Sequence, residues 1–151
     1  MGLSVNNINS NAGYAYKNTL QNQAKIENKA SETKVTTIDA REVISPELKQ
    51  PGNKLYLIKH TPKDNLMPNI GELKSNWNYV HEQILAKNIV SAYSLEGEGL
   101  QDSIEKMRVG NGLSVEINID GIEPKIPFGS IVVESVNELD YKNAIYIGEV
   151  K

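Results

Sequence analysis

The chain has 151 residues, the length of one ordinary globular domain. Its 16 Lys and Arg are balanced by 19 Asp and Glu and form no basic tract, so the composition argues against a nucleic-acid partner, which needs clustered cations. The absence of cysteine excludes disulfides, thiolate metal sites and a cysteine nucleophile. No apolar run approaches the roughly 20 residues of a spanning helix, so we expect no membrane span.

The first 31 residues differ from the rest in composition. They contain seven asparagines, three lysines and a single acid. Tyr16, Leu20 and Ala24 recur at a spacing of four, which favours a weak amphipathic helix over 13–31. Because such a narrow face buries little surface, we expect a flexible arm that becomes helical on docking, with an ordinary first helix as the alternative. The stretch has no basic or apolar signal-peptide region, so we expect an uncleaved N-terminus.

Two prolines separate this arm from the body. β-branched residues permit a strand over 34–39. Pro46 and Pro51 then interrupt the chain, because proline removes a backbone donor and restricts the residue before it. We therefore predict a polar arm and linker over 1–52 and a compact domain over 53–151.

The strongest periodic signal predicts a helix over 70–88, between strands at 54–59 and 89–96. Its apolar positions recur at spacings of three and four, as in a helix with one buried face: Ile70, Leu73, Trp77, Val80 and Ile84. This pattern makes Trp77 a core anchor and places Asn76 on the face toward water.

The second half of the domain mixes hairpin and helix signals. We predict a short helix over 100–108 that stops at Gly110, and an alternating strand over 113–119. The pair Asp120 and Gly121 favours a type I′ turn with a return strand from Ile122. Residues 129–134 read as a strand covered on both faces, 135–138 as a capping box that opens a helix to about residue 144, and 145–150 as the last strand. The predicted class is α+β, a mixed, largely antiparallel sheet with helices packed on it.

Few residues offer metal or nucleophilic chemistry. The two histidines cannot supply the three protein ligands of a usual catalytic zinc, so we expect no metal site and no cofactor. His60 reads as a loop residue and His81 as a residue on the helix surface. Ser130 lies inside a strand pattern and not in a nucleophile elbow.

An acidic cluster surrounds two glycines after the strand at 89–96. Glu96, Glu98 and Asp102 stand where a strand ends, and carboxylates there could act as acid and base. The alternative interpretation is a solvated turn whose negative charge suits the start of the next helix.

Three tyrosines suggest a contact surface. Tyr79, Tyr93 and Tyr146 are predicted on polar faces, and tyrosine is enriched at protein interfaces. Pairing of exposed sheet edges is a simple route to oligomers, so we expect the chain to associate with itself.

The polar leader VNNINSN, followed by KNTLQNQAK, resembles the start of proteins exported through the flagellar or another type III apparatus. With the small acidic body behind it, the chain resembles the flagellar secreted protein A family. That resemblance implies a secreted, non-enzymatic virulence protein that meets the export apparatus through residues 1–31 and acts on an unknown host protein; a cytoplasmic protein is the alternative.

A second likeness concerns residues 54–150. The strand KLYLIK, a helix with His81 inside it, the strand FGSIVVES and a short helix are similar to YciI-like ferredoxin-type domains. That likeness implies a dimeric small-molecule enzyme with a His–carboxylate pair. Here His81 would be the histidine, and Asp102 or Asp120 would supply the carboxylate, with residues 97–128 as an insertion. As an enzyme, the chain would use His81 with Glu96 and Asp102.

Overall fold

The computed structural model describes residues 37–95, 97, 99–123 and 126–151, and the predicted arm over 1–31 lies outside them. The compact unit extends from Ile38 to Lys151. The predicted boundary between residues 52 and 53 therefore falls inside this unit. Residues 37–39 do not form a strand but lead into a 3-10 turn, Ala40–Glu42; the rest of the strand suggested over 34–39 is outside the described part.

Seven regular elements follow this turn in the described chain. They are β1 (Lys54–Ile58), α1 (Ile70–Leu85), β2 (Ile89–Ser94), α2 (Leu100–Val109), β3 (Val115–Ile117), β4 (Ile131–Ser135) and β5 (Ala144–Val150). The strands form one sheet in the order β2-β4-β1-β5-β3, and all hydrogen-bonded neighbours are antiparallel. The predicted α+β class is confirmed.

The two helices cover opposite faces of the sheet. The chain crosses from β1 to β2 through α1 and returns from β2 to β3 through α2, in opposite directions along the sheet. Because crossovers between parallel strands are right-handed, opposite directions place the helices on opposite faces. The side chains agree, since Leu55 and Leu57 pack with Ile104 of α2, whereas Tyr56 and Ile58 pack in the cluster that α1 covers.

The predicted linker is part of the α2 face. Leu48 is fully buried in the cluster that contains Ile104, and its backbone N–H donates to the Met107 carbonyl at 2.9 Å. The Glu134 carboxylate, fully buried on β4, accepts from the backbone N–H groups of Lys49 and Gln50 at 2.8 and 3.1 Å. A carboxylate thus supplies the partners that an adjacent strand would otherwise give this segment.

Two predicted elements are absent from the described residues. After Ser135 there is no helix, because Asn88 holds this segment: its Oδ1 accepts from the Asn137 N–H at 3.0 Å, and its carbonyl accepts from the Val136 N–H. No return strand follows Gly121 either, since β3 pairs with β5 and Ile122 packs on the core instead.

The close pairing of β3 and β5 depends on a glycine. A Cβ at Gly148 would lie 2.2 Å from the Glu116 carbonyl oxygen. Since no side chain fits in that space, only glycine permits this backbone approach.

Candidate functional site

The buried face of α1 is not the one that its apolar spacing predicts. Leu73, Asn76 and Val80 are buried, whereas Trp77 is 52% exposed. The prediction of Trp77 as a core anchor is therefore wrong, and so is the placement of Asn76 toward water. The helix has the predicted position in the chain but is rotated about its axis.

The hydrogen bonds of the buried Asn76 carboxamide explain why α1 is rotated in this way. Both its nitrogen and its oxygen have partners inside the fold. Its Nδ2 donates to the Lys59 carbonyl at 3.1 Å. Its Oδ1 accepts from the Tyr141 hydroxyl and from Asn143 Nδ2, both at 2.8 Å. Since a buried amide without partners costs about 1–3 kcal/mol, this network makes Asn76 a stable core residue and fixes the direction in which α1 faces.

One flank of α1 packs against the connection between β4 and β5. The Tyr79 ring stacks on Tyr141 with centroids 4.1 Å apart and planes 7° from parallel. Burial raises the pKa of both hydroxyls, and the Asp140 carboxylate adds to the effect on Tyr79. This flank is therefore occupied by the protein itself.

The opposite flank, toward the side of the sheet that ends in β2, carries exposed apolar side chains. We call Ile70, Trp77 and Leu85 the exposed stripe; they are about half exposed. With about 100° between successive helical residues, spacings of seven and eight keep the three side chains on one side of the helix. The stripe runs the length of α1.

More exposed apolar groups lie at both ends of the stripe. Leu66 and Met67 precede α1 and are both mostly exposed. At the other end, Lys87 Nζ donates to the Arg41 carbonyl at 3.0 Å, which brings the exposed Val43 close to the end of α1. Exposed apolar side chains therefore occur beyond both ends of the stripe as well as within it, and exposed apolar groups in such number mark interaction sites on soluble proteins.

His60 holds the N-terminal end of this surface in place. It is 2% exposed and not a simple loop histidine: its Nδ1 lies 2.6 Å from the Phe128 carbonyl, and its Nε2 accepts from the Asn69 N–H at 3.1 Å. The backbone N–H of His60 donates to Ser130 Oγ at 3.0 Å. Because both ring nitrogens bond to backbone groups, His60 and Ser130 act as a structural clamp between β4 and the start of α1.

The three predicted contact tyrosines do not share one surface. Tyr146 is 52% exposed, and its ring lies T-shaped to that of Tyr56 with centroids 5.5 Å apart, on the sheet face that α1 covers. Tyr79 is on that side too but is stacked on Tyr141. Tyr93 packs with the cluster on the opposite face, with Lys106 Nζ 5.6 Å from its ring centroid.

Of the predicted acid–base site, the structure describes His81 and Asp102, and it does not bring these two together. His81 is exposed on α1 and Asp102 is exposed on α2, so the sheet lies between their helices. Glu96 and Glu98 lie outside the described residues, and Asp120 is exposed in the loop after β3. A shallow cavity of about 270 Å³ does lie at the start of α2; its lining includes Asp102, Ile122 and Glu123.

The described residues form neither a metal-binding cluster nor a membrane-spanning helix. No cluster of three or more potential metal-ligating side chains occurs among them, and none of their helices combines the length and the hydropathy needed to cross a membrane. Neither a family model, nor a curated protein, nor a solved structure matches the chain.

The sequence contains a signal for the stripe that spacing alone misreads. Ile70 and Trp77 belong to the periodic apolar pattern. Asn76, next to Trp77, lies on the buried face of the helix, and Tyr79 lies half-buried beside that face. Only the partners of Asn76, 65 and 67 residues further along the chain, show which flank is inside.

Proposed function

We propose that this chain is a bacterial protein exported through the flagellar or another type III apparatus, and that it acts by contact with proteins and not by catalysis. The contact surface is the exposed stripe on α1. Virulence, as in the flagellar secreted protein A family, is the role that best fits an exported contact protein.

The observation that carries the contact function is the half-exposed Trp77 at the centre of the stripe. A tryptophan buries about 150–250 Å² when fully covered, and binding energy concentrates on such central aromatic residues. Exposed apolar side chains continue on both sides of it, at Ile70 and Leu85. A partner that covers them gains roughly 25 cal/mol for each Å² of apolar surface removed from water.

The composition of residues 1–31 supports export. The segment is polar, rich in asparagine and has a weak helical pattern, as expected of a chain that is threaded through a narrow channel. The absence of cysteine means that no disulfide in the chain can oppose unfolding before export.

Site-specific photo-cross-linking tests the contact function. A benzophenone amino acid at Trp77 should give covalent adducts with a partner when the secreted protein meets its target. The same group at Ser75, exposed on the far side of α1, is the matched control. Adducts at position 77 and few at position 75 are expected; equal yields at both positions, or none at 77, would contradict the proposal.

Deletion of residues 2–31 tests export. We expect the truncated chain to accumulate inside the cell and to disappear from the culture supernatant, as the full chain should in a strain without a working flagellar export apparatus. Undiminished release of the truncated chain would refute this part of the proposal. The urea-unfolding midpoint of the purified truncated chain shows whether the body still folds, and the accumulation of this chain inside the cell excludes loss by degradation.

A further inference from the structure

We propose that the partner of the exposed stripe is a second copy of this chain, with the two α1 helices packed antiparallel about a two-fold axis at Trp77. This inference rests on the proposed contact function and names its partner. A two-fold interface uses the same surface on both copies, so the surface must complement itself.

The positions of the stripe residues meet this condition. Ile70 precedes Trp77 by seven residues and Leu85 follows it by eight, so the apolar groups are almost symmetric about the tryptophan. In an antiparallel pair, Ile70 packs on the partner's Leu85, and the two Trp77 rings meet at the axis. The exposed Met67 then lies near the partner's Val43, so apolar groups face each other at both ends.

The charges around the stripe lie at its rim. The exposed charged or titratable residues one helical turn from a stripe residue are Lys74, His81 and Glu82, and the antiparallel arrangement places Lys74 of one copy opposite His81 of the other. The lysine stem can extend along the apolar surface so that its ammonium group stays in water at the rim. The stripe itself contains no charged side chain, and Glu82, one turn before Leu85, is exposed at its edge, where its carboxylate can stay in water.

The size of the surface sets the expected strength. The stripe and its ends expose apolar area on the order of 500 Å² per copy, against about 800 Å² per partner in a standard stable interface. The sixteen residues of α1 also span about 24 Å, long enough for a helix pair of three contact layers. We therefore expect a reversible dimer with a dissociation constant in the micromolar range, ~10⁻⁶ M.

Sedimentation equilibrium of the full chain tests the self-association. The wild type should pass from monomer to dimer as its concentration rises. Trp77→Glu should raise the dissociation constant at least about 30-fold, the effect of losing a hot spot. The matched variant Ser75→Glu, which places the same charge on the far side of α1, should leave the dissociation constant within about two-fold of the wild type.

Nitroxide labels test the antiparallel geometry, because the chain has no native cysteine to interfere. Asn78→Cys, beside the axis, should give an inter-copy distance below about 20 Å, whereas Lys87→Cys, ten residues beyond Trp77, should give at least about 30 Å. Two short distances would overturn the antiparallel pairing.

The remaining outcomes separate this inference from the proposed function. A wild type that stays monomeric at millimolar concentration overturns the second copy as partner. If photo-cross-links at Trp77 then contain a different protein, the contact function holds without self-association. If they contain nothing, both proposals fail. An adduct of twice the 16.7-kDa chain mass, together with a wild-type dimer, supports both.

Discussion

At the scale of single residues, the buried carboxylate of Glu134 is the most consequential group of the α2 face. It accepts from two backbone N–H groups and from Asn53 Nδ2 at 2.7 Å, which fixes residues 49–53 on the sheet. Glu134→Gln replaces one acceptor oxygen by a donor that faces another donor. We expect a loss of about 2 kcal/mol in the free energy of unfolding, measured by urea denaturation.

The control for this substitution is Glu138→Gln. The Glu138 side chain is 84% exposed and lies 4.0 Å from Lys54 Nζ. Because exposed ion pairs contribute little, its loss should change the free energy of unfolding by less than about 0.5 kcal/mol. Equal effects at both positions would show that the Glu134 carboxylate does not anchor the segment.

Tyr79 makes a prediction about alkaline pH. Burial, with the nearby Asp140 carboxylate, raises the pKa of its hydroxyl above the usual value of about 10. The folded chain then holds this proton more tightly than the unfolded chain, so this contribution to stability is complete below about pH 10 and is lost as the pH rises through the folded pKa. Urea denaturation from pH 8 upward should show a smaller alkaline loss for Tyr79→Phe than for the wild type.

The matched substitution for this experiment is Tyr146→Phe, which removes a hydroxyl from a half-exposed ring. It measures how much of the alkaline loss of stability disappears when a tyrosine hydroxyl is removed elsewhere in the chain. If Tyr79→Phe and Tyr146→Phe reduce the loss equally, the environment of Tyr79 is not responsible for it.

At the scale of elements, the orientation of α1 decides which of its apolar residues stabilise the fold. Leu73→Ala should lower the free energy of unfolding by about 2–4 kcal/mol, because the Leu73 side chain is buried and lies next to Gly129, just before β4. Trp77→Ala, measured well below the dimer dissociation constant, should cost less than about 1 kcal/mol although it removes a larger side chain. A larger loss for Trp77→Ala would mean that the tryptophan faces the core.

Local chemistry predicted the elements whose sequence signals agree with their tertiary contacts. The spacing from Ile70 to Ile84 predicted α1 and its start, and the glycine at 110 marked the end of α2 after Val109. The apolar run at 129–134 gave β4, an inner strand of the sheet. In each case propensity, burial pattern and chain-breaking residues agree, so tertiary contacts confirm what the sequence already favours.

Elsewhere, hydrogen bonds to residues far along the chain determine a structure that differs from the one the local sequence pattern predicts. Ser135 to Glu138 has the spacing of a capping box, yet Asn88, almost fifty residues earlier, holds this segment in a turn. The same applies to the face of α1, which Asn76 sets through Tyr141 and Asn143. The buried role of Glu134 was hidden inside an apolar strand pattern. Such side-chain bonds leave no periodic trace in the sequence, which is why the contact tyrosines were predicted and the stripe was not.

At the scale of the whole molecule, one flank of α1 is covered by the protein itself and the other flank is exposed to solvent. The connection from β4 to β5 covers the flank of α1 that carries Tyr79, through its stacking on Tyr141. The other flank exposes the stripe above the side of the sheet that ends in β2. The core is therefore buried although Trp77 remains half exposed at the surface. We propose that Trp77 serves for contact with a second chain.

The fluorescence of Trp77, the only tryptophan in the chain, tests this assignment most directly. In dilute solution a soluble quencher should reach the exposed indole readily. As the concentration rises through the micromolar range, the quenching constant should fall at least two-fold and the emission should shift to the blue, because the partner copy covers the ring. A quenching constant and emission maximum that stay the same at every concentration would contradict the account.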